Sequence, residues 1–389
     1  MILLYGMGQS NLSVKKYLDK TKQSYETEDS GIIYQYIIKS PGIRKEDVRA
    51  RGKIISDAEF FYLEFKPEMV AITGTNGKTT TTLLTTHLLK NRHDVVYGGN
   101  IGVPFFDITS LSEIKILELS SFMLDTVDTF KPKIALILNI TSAHLDYHKT
   151  MDNYKKAKLN LIKNLAVTDF LIINKDDVNL EKIESKATIY TFSLKNKGAS
   201  IFYENGFIYY KDNKIEVSDT FSQKETDIYN MMAAITVAVI YNVSFKEIKA
   251  GLKTFKKPPY RMEEIYTDIY NDAKSTNINS TYMNIKDLKE VRLIAGGYDR
   301  GEALEDISKI IPNLKEVFLY GANRFRLASY FKDIKVTIYE TLEEVMANLD
   351  LKGLIVYSPL APSYDQFKSF EERGQLFTNL VKKSLENSL

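Results

Sequence analysis

Cysteine is wholly absent from the 389 residues, which removes disulfide frameworks, thiolate zinc sites, iron–sulfur clusters and cysteine nucleophiles. Only hard-metal or non-thiol chemistry remains. A surplus of one charge is missing too, since 52 Lys and Arg stand against 50 Asp and Glu, a formal +2. That balance argues against a protein whose main business is coating nucleic acid or anionic lipid, so any anion must be met locally. Long apolar runs are lacking. The longest, Ile228–Tyr241, includes Asn230 and falls short of the ~20 residues of a membrane helix. Met1-Ile2-Leu3-Leu4-Tyr5-Gly6 has no basic n-region or small-residue cleavage site, and a cytoplasmic protein is expected. No repeat, low-complexity segment or heptad pattern is visible, which makes a monomer the default.

What is present is the composition of a folded chain, 44% hydrophobic and 26% charged, and at about 150 residues per domain the length predicts two or three domains. Short Ile/Val/Leu runs alternate with helical patterns, as in buried parallel strands joined by crossover helices, so the fold class is α/β. The best strand candidates are Ile2–Tyr5, Met69–Ile72, Ile114–Leu117, Ile134–Leu138, Phe170–Ile173, Leu293–Ile294, Val317–Leu319 and Leu354–Val356. Ligand chemistry is expected at their C-terminal ends. Lys66-Pro67 and Lys256-Lys257-Pro258-Pro259 read as boundaries, because paired prolines suit neither a helix nor a central strand. They divide the chain into 1–66, 67–257 and 258–389. Asn205-Gly206 and Asp212-Asn213 punctuate Tyr/Phe/Ile runs between Ile201 and Val217, the pattern of a β-meander in or beside the middle sheet.

The segment Met69-Val70-Ala71-Ile72 runs into Thr73-Gly74-Thr75-Asn76-Gly77-Lys78-Thr79-Thr80, a strand, a glycine turn and a helix start. Gly74 and Gly77 let the main chain wrap phosphate oxygens, Lys78 brings a cation to the β and γ phosphates, and the Thr79 hydroxyl faces Mg²⁺. The position five before Gly77 is Ile72 rather than glycine, so this is a shortened subtype of the loop. A second glycine turn, Gly6-Met7-Gly8, follows the first strand, with Glu26, Glu28 and Asp29 about twenty residues on, as ribose recognition in a dinucleotide dehydrogenase requires. Asn11 replaces the third glycine. The same turn equally suits the diphosphate of a UDP-sugar, with Gln9, Ser10 and Asn11 at a helix N-terminus.

Ala71–Thr80 resembles the ATP loop of the Mur ligases, which join amino acids to peptidoglycan precursors, and further segments match in order. Gly98-Gly99-Asn100-Ile101-Gly102-Val103-Pro104 is similar to the loop after the family's second strand, and Glu118-Leu119-Ser120-Ser121-Phe122 to its metal and substrate strand end. Asn139-Ile140-Thr141 and His144-Leu145-Asp146 fall where the family has another strand end and a magnesium histidine, and Lys158 falls where it carries a carbamylated lysine. Arg261 with Glu263, Asn271–Asn277 and above all Ser363–Gly374 resemble the third domain of the D-glutamate-adding member. Departures are a first domain of only about 65 residues, Thr226-Asp227-Ile228-Tyr229-Asn230 retaining only the last Asn of a family run, Tyr260 where histidine is common, and Arg300 where lysine is common.

The resemblance implies three domains, a short Rossmann-like one for the UDP-muramoyl substrate, a central P-loop ATPase-like sheet and a Rossmann-like amino-acid domain. It implies ATP-dependent addition of D-glutamate to UDP-N-acetylmuramoyl-L-alanine through an acyl phosphate, releasing ADP and phosphate. ATP would contact Gly74, Thr75, Asn76, Gly77, Lys78, Thr79 and Thr80, with Asn230, Arg261 and Asp272 from two domains. Two Mg²⁺ ions would rest on Thr79, Glu118, His144 and the Lys158 carbamate; Lys78, Glu118, His144 and Lys158 form the catalytic set. Gly8, Ser10, Asn11, Asn100 and Ser120 would meet the UDP-muramoyl donor, and Lys274, Thr276, Arg300, Ser363 and Phe370 the amino acid. The chemistry is coherent, because a carboxylate accepts an amine only after phosphorylation, and phosphoryl transfer asks for positioning and charge neutralisation rather than a covalent nucleophile.

Plainer readings stand beside these. Lys158 has Lys155, Lys156 and Lys163 nearby, as on any solvated basic helix face. His144 and His148, four apart, have the spacing of a zinc pair but no third His or Cys to complete it, while His87 and His93 read as surface or helix-end residues. A folate-type ligase, a nucleotide-switched binding module and a nicotinamide dehydrogenase are the rival functions.

Overall fold

Ile2-Leu3-Leu4-Tyr5 forms β1 (Ile2–Tyr5) and breaks at Gly6, whose φ of +82° is left-handed, in a computed structural model that describes residues 1–108, 114–301 and 304–386. α1 (Gln9–Thr21), β2 (Tyr25–Glu26), β3 (Ile33–Lys39), β4 (Arg51–Ile55) and α2 (Asp57–Phe65) follow. The four strands make one parallel sheet in the order β2-β1-β3-β4.

A second sheet begins at β5 (Met69–Thr73), which leads into α3 (Lys78–Leu89), β6 (Val95–Gly99), β7 (Ile114–Glu118), α4 (Ser121–Leu124) and β8 (Ile134–Ile137). Next come α5 (Leu145–His148), α6 (Met151–Leu159), β9 (Phe170–Asn174), β10 (Thr188–Ser193), β11 (Ile201–Glu204), β12 (Phe207–Tyr210), β13 (Asn213–Glu216), α7 (Glu225–Ile240) and α8 (Phe245–Thr254). Nine strands run β13-β12-β11-β10-β9-β8-β5-β7-β6. β5 lies between β7 and β8 and is buried along its length, and successive residues serve opposite faces. Met69 and Ala71 join the core containing Phe60 and Leu117, while Val70 and Ile72 join the one containing Leu84 and Met231. The meander expected near Ile201–Val217 is β11–β13, antiparallel, and it extends the edge of this sheet. The apolar run around Ile228 is α7, mostly buried against the sheet. Among the described residues no helix is long and apolar enough to cross a membrane.

By contact density Met1–Lys256 is one unit and Lys257–Leu389 a second. The second contains β14 (Glu263–Tyr266), β15 (Ile269–Asn271), α9 (Ile278–Ile285), β16 (Val291–Gly296), β17 (Leu314–Tyr320), α10 (Arg324–Ala328), β18 (Lys335–Ile338), α11 (Leu342–Asn348), β19 (Ile355–Tyr357) and α12 (Phe370–Glu386). Its sheet runs β14-β15-β19-β16-β17-β18, parallel except for the β14–β15 hairpin.

Within the first unit the small sheet is fastened to the large one. Phe60 and Phe61 pack on Phe105 and Phe106, with ring centroids 5.3 Å apart for Phe60–Phe106 and 5.6 Å for Phe61–Phe105. Beside them Glu59, fully buried, accepts from the Asp128, Thr129 and Phe130 amides at 2.9, 2.7 and 2.9 Å and from the Thr129 hydroxyl at 2.6 Å. Removing that acceptor leaves buried donors unpaired, each at a cost of about 1–3 kcal/mol. Glu59→Ala should therefore destabilise the first unit by about 3 kcal/mol or more, read as a lower denaturant midpoint and faster amide exchange at 128–130.

Candidate active site

The candidate site lies where β5, β7 and β8 end, because the chain leaves β5 and returns to pair β7 and β8 on its two flanks. Gly77 caps α3 with φ +86°, a conformation that leaves no room for a Cβ, which would drive into Asn230 Oδ1. The loop before it is held from below. Asn139 accepts from the Asn76 amide at 2.9 Å and donates back to the Asn76 carbonyl at 3.1 Å. Thr75 Oγ1 accepts from the Thr141 amide at 2.9 Å and lies 3.0 Å from the Tyr154 hydroxyl. Lys78 Nζ donates to the Gly74 and Thr75 carbonyls, each at 2.9 Å, so a cation and a helix N-terminus face the same turn. Thr80 is buried one residue further along α3.

Glu118 ends β7 and is 1% exposed. Its Oε2 accepts from Thr79 Oγ1 at 2.8 Å and its Oε1 from Asn100 Nδ2 at 2.8 Å. An octahedral Mg²⁺ with bonds of about 2.0–2.1 Å spaces neighbouring oxygens about 2.9 Å apart, so the Thr79–Glu118 pair has the separation of one such edge. Among the described residues no group of three or more His, Cys, Asp or Glu could hold a metal, so a Mg²⁺ here would need donors beyond Thr79 and Glu118.

Lys158 is buried although Lys156 on the same helix is exposed, which removes the solvated-face reading. Its Nζ donates to the Gly74 carbonyl at 2.8 Å, is 3.4 Å from Thr73 Oγ1, and lies 4.8 Å from the Tyr154 ring centroid. Burial lowers its pKa well below the usual lysine value, and Lys78 pushes the same way while Glu118 opposes. Its surroundings therefore disfavour the charged form of the amine.

His144 precedes α5 in the left-handed region, φ 56°. Its ring lies edge-on to Phe122 at 4.8 Å and 6.3 Å from Tyr154. His148 is buried, with Nε2 2.9 Å from Ser121 Oγ and its ring stacked on Phe122; this is a packing role rather than half of a zinc pair. His87 and His93 touch Thr254 Oγ1 and the Tyr241 carbonyl at 3.1 and 2.9 Å, helix-end contacts as expected.

The remaining predicted positions divide by what they already hold. Ser120 caps α4, accepting from the Met123 amide at 3.3 Å. Asn11 is fully buried and donates to the Gly6 and Ile38 carbonyls at 2.7 and 2.8 Å, and the Gly8 amide donates to Ser40 Oγ at 3.2 Å. The Asn11 amide therefore shapes the glycine turn. Ser10 bonds Asp57, a wholly buried carboxyl that burial pushes up to about 6. In the second unit Asp272 accepts from the Met262 amide at 3.2 Å, Ser358 Oγ at 2.8 Å and Asn284 Nδ2 at 3.0 Å; burial raises its pKa, and it fixes the turn carrying Arg261. Lys274 Nζ sits 4.0 Å over the Phe370 ring. Ser363 is buried, whereas Thr276 and Arg300 are half-buried.

Sequence reading met Arg373 only inside the Ser363–Gly374 stretch and gave it no role. It is fully buried, and its Nη2 donates to the Ala273 and Ala361 carbonyls, both at 3.0 Å, tying the Lys274 loop to the Ser363 loop. Asn139 and Tyr154 were visible only as parts of longer segments; the signal for Asn139 is its place just past a strand end. Gly77→Ala should weaken binding of a fluorescent ATP analogue at least tenfold with the secondary-structure spectrum unchanged, since the added methyl displaces the loop rather than the core.

The comparisons with known proteins bear on this geometry. The Mur ligase middle domain family model matches residues 72–244. The UDP-N-acetylmuramoylalanine–D-glutamate ligase of Oenococcus oeni is 34% identical over 98% of this chain and 96% of its own, and that of Pediococcus pentosaceus 37% identical over 90% and 82%. At the level of fold, a pseudomurein peptide ligase type C from Methanothermus fervidus superposes with TM-score 0.67 and 16% identity over 98% of this chain and 99% of its own. MurF ligase from Thermotoga maritima, solved in complex with ADP, gives 0.65 and 16% over 100% and 95%. With the phosphate loop, the strand-end carboxylate and the buried lysine all inside the matched region, the chain belongs to the Mur ligase family.

Proposed function

We propose that this chain is an ATP-dependent ligase that adds D-glutamate to UDP-N-acetylmuramoyl-L-alanine, releasing ADP and phosphate in peptidoglycan precursor synthesis. The observation that carries the reading is the hydroxyl–carboxylate pair Thr79–Glu118 at the phosphate loop, with the buried Lys158 amine bonded to the same loop. The choice of D-glutamate and of the muramoyl donor follows the relatives of similar length.

The first step moves the γ-phosphoryl group of ATP to the donor's carboxylate oxygen, so that the bond to the β-phosphate oxygen breaks and phosphate becomes the leaving group. The D-glutamate amine then attacks the acyl carbon and expels that phosphate. The loop amides from Gly74 to Gly77 and the Lys78 ammonium hold and neutralise the polyphosphate, and Asn139 keeps the loop in shape for it. Thr79 and Glu118 are the residues that would hold Mg²⁺, which when bound would draw charge from the transferring group. His144 and Lys158 complete the metal set in this proposal, Lys158 as a carbamate. An uncharged amine is the form that reacts with CO₂, and the carbamate would put an anionic oxygen donor under the loop where the amine stands.

Residues 1–66 receive the UDP-muramoyl donor through Gly8, Ser10 and the turn held by Asn11, with Asn100 and Ser120 from the central segment, residues 67–257. Residues 258–389 take the amino acid through Lys274, Thr276, Arg300, Ser363 and Phe370; a guanidinium such as that of Arg300 forks onto a carboxylate. Phosphate release measured across D- and L-amino acids should require both the UDP-muramoyl-alanine donor and D-glutamate. ATP hydrolysis indifferent to donor and amine overturns the proposal. Lys158→Ala should lower kcat about 100-fold or more, and CO₂-depleted buffer should slow the parent enzyme until bicarbonate is restored.

A further inference from the structure

Lys39 is the last residue of β3, pairs with Tyr5 across the sheet, and is fully buried. Its neighbour Ser40 closes the glycine turn, donating to the Gly6 carbonyl at 2.9 Å and accepting from the Gly8 amide. The backbone at 39–40 thus belongs to the turn assigned above to the UDP-muramoyl donor. The side chain runs the other way. Nζ donates to the Phe122 carbonyl at 3.3 Å, the Tyr147 hydroxyl at 3.2 Å and the Pro41 carbonyl at 3.4 Å, and lies 5.7 Å from the Tyr147 ring centroid. Phe122 carries the edge contact to His144 and the stack on His148; Tyr147 is on α5, three residues after His144, and donates to the Ile43 carbonyl at 3.2 Å.

The ammonium is held entirely by uncharged oxygens. Asp125, Asp57 and Glu46 attract it and Lys45 repels it, but Asp125 is paired with Lys45 at 3.2 Å, and among the described residues no carboxylate forms an ion pair with Lys39. Desolvation brings its pKa down to about 8. A buried charge without a directly paired counter-ion costs stability, and methionine of similar length would fill the space without that cost. Something other than stability explains a lysine at this place.

We propose that Lys39 is a positioning residue, its backbone shaping the glycine turn while its ammonium holds Phe122 and Tyr147 and, through them, sets the ring of His144 relative to the donor-binding turn. This rests on the function proposed above. It couples the seat of the donor's nucleotide to the end of the central sheet where its carboxylate reacts.

The test compares Lys39→Met with Lys39→Gln, which keeps an N–H donor, in the full chain. Lys39→Met should raise KM for the UDP-muramoyl donor about tenfold, the worth of one charge-assisted hydrogen bond, and leave KM for ATP within roughly twofold. Lys39→Gln should recover most of that loss, and the melting temperature of Lys39→Met should match or exceed the parent's. The chain has four histidines, so imidazole NMR is direct: in Lys39→Met the His144 and His148 resonances should move while those of His87 and His93 stay. An unchanged donor KM with unmoved His144 and His148 resonances overturns the proposal, as does a uniform loss in every kinetic parameter with a lower melting temperature. A parent enzyme that ignores D-glutamate defeats the functional reading alone, because the imidazole comparison needs no substrate and still decides the role of Lys39.

Discussion

Glu118 at the end of β7 and Thr79 at the start of α3 meet at 2.8 Å, and that contact depends on the order of strands in the sheet. A carboxylate buried to this degree is stable only with donors aimed at it, and they come from two directions, the hydroxyl of the phosphate loop and the amide of Asn100 after β6. Both arrive because β5, β6 and β7 are adjacent parallel strands whose C-terminal ends lie side by side. The fold thus places a hydroxyl and the carboxylate oxygen it donates to at a spacing a hard cation can bridge.

The lysines at this strand end show how one residue type is put to different uses by burial. Lys78 stays half-exposed on the loop carbonyls, where a full charge is useful toward phosphate. Lys158 is drawn under the loop, and desolvation together with the nearby Lys78 makes its charged form unfavourable. The two lysines are therefore set apart by environment, one favoured and one disfavoured as a cation.

Much of this was legible in the sequence. Every strand expected from an apolar run exists, since such runs mark strands covered on both faces, and the phosphate loop was readable because its glycines, lysine and threonine stand at fixed spacing. The strands that were not anticipated include β2, β4, β6, β14 and β18, all at sheet edges. An edge strand such as β4, Arg51-Gly52-Lys53-Ile54-Ile55, needs little apolar content and gains from charge that blocks further pairing. β3 escaped because Tyr34-Gln35-Tyr36 alternates buried and exposed positions rather than running apolar. At the site, sequence could name Asn11, Ser120 and Asp272 but not tell whether their polar groups face a ligand or tie a turn, since that depends on backbone brought in from distant positions. The burial of Lys158 had a trace: it shares one face of α6 with Tyr154 and Ala157, and only the helix's register against the sheet distinguishes it from Lys155 and Lys156.

The grip of Glu59 on three consecutive amides at 128–130 bears on how such a chain can be recombined. The opening 66 residues look like a detachable module, yet their carboxylate satisfies main-chain donors that belong to the following segment. A chimera that imports another opening module inherits those donors unanswered unless the graft also brings an acidic residue to the same depth. Interchange among relatives is thereby confined to modules carrying that acceptor, whatever the rest of their sequences.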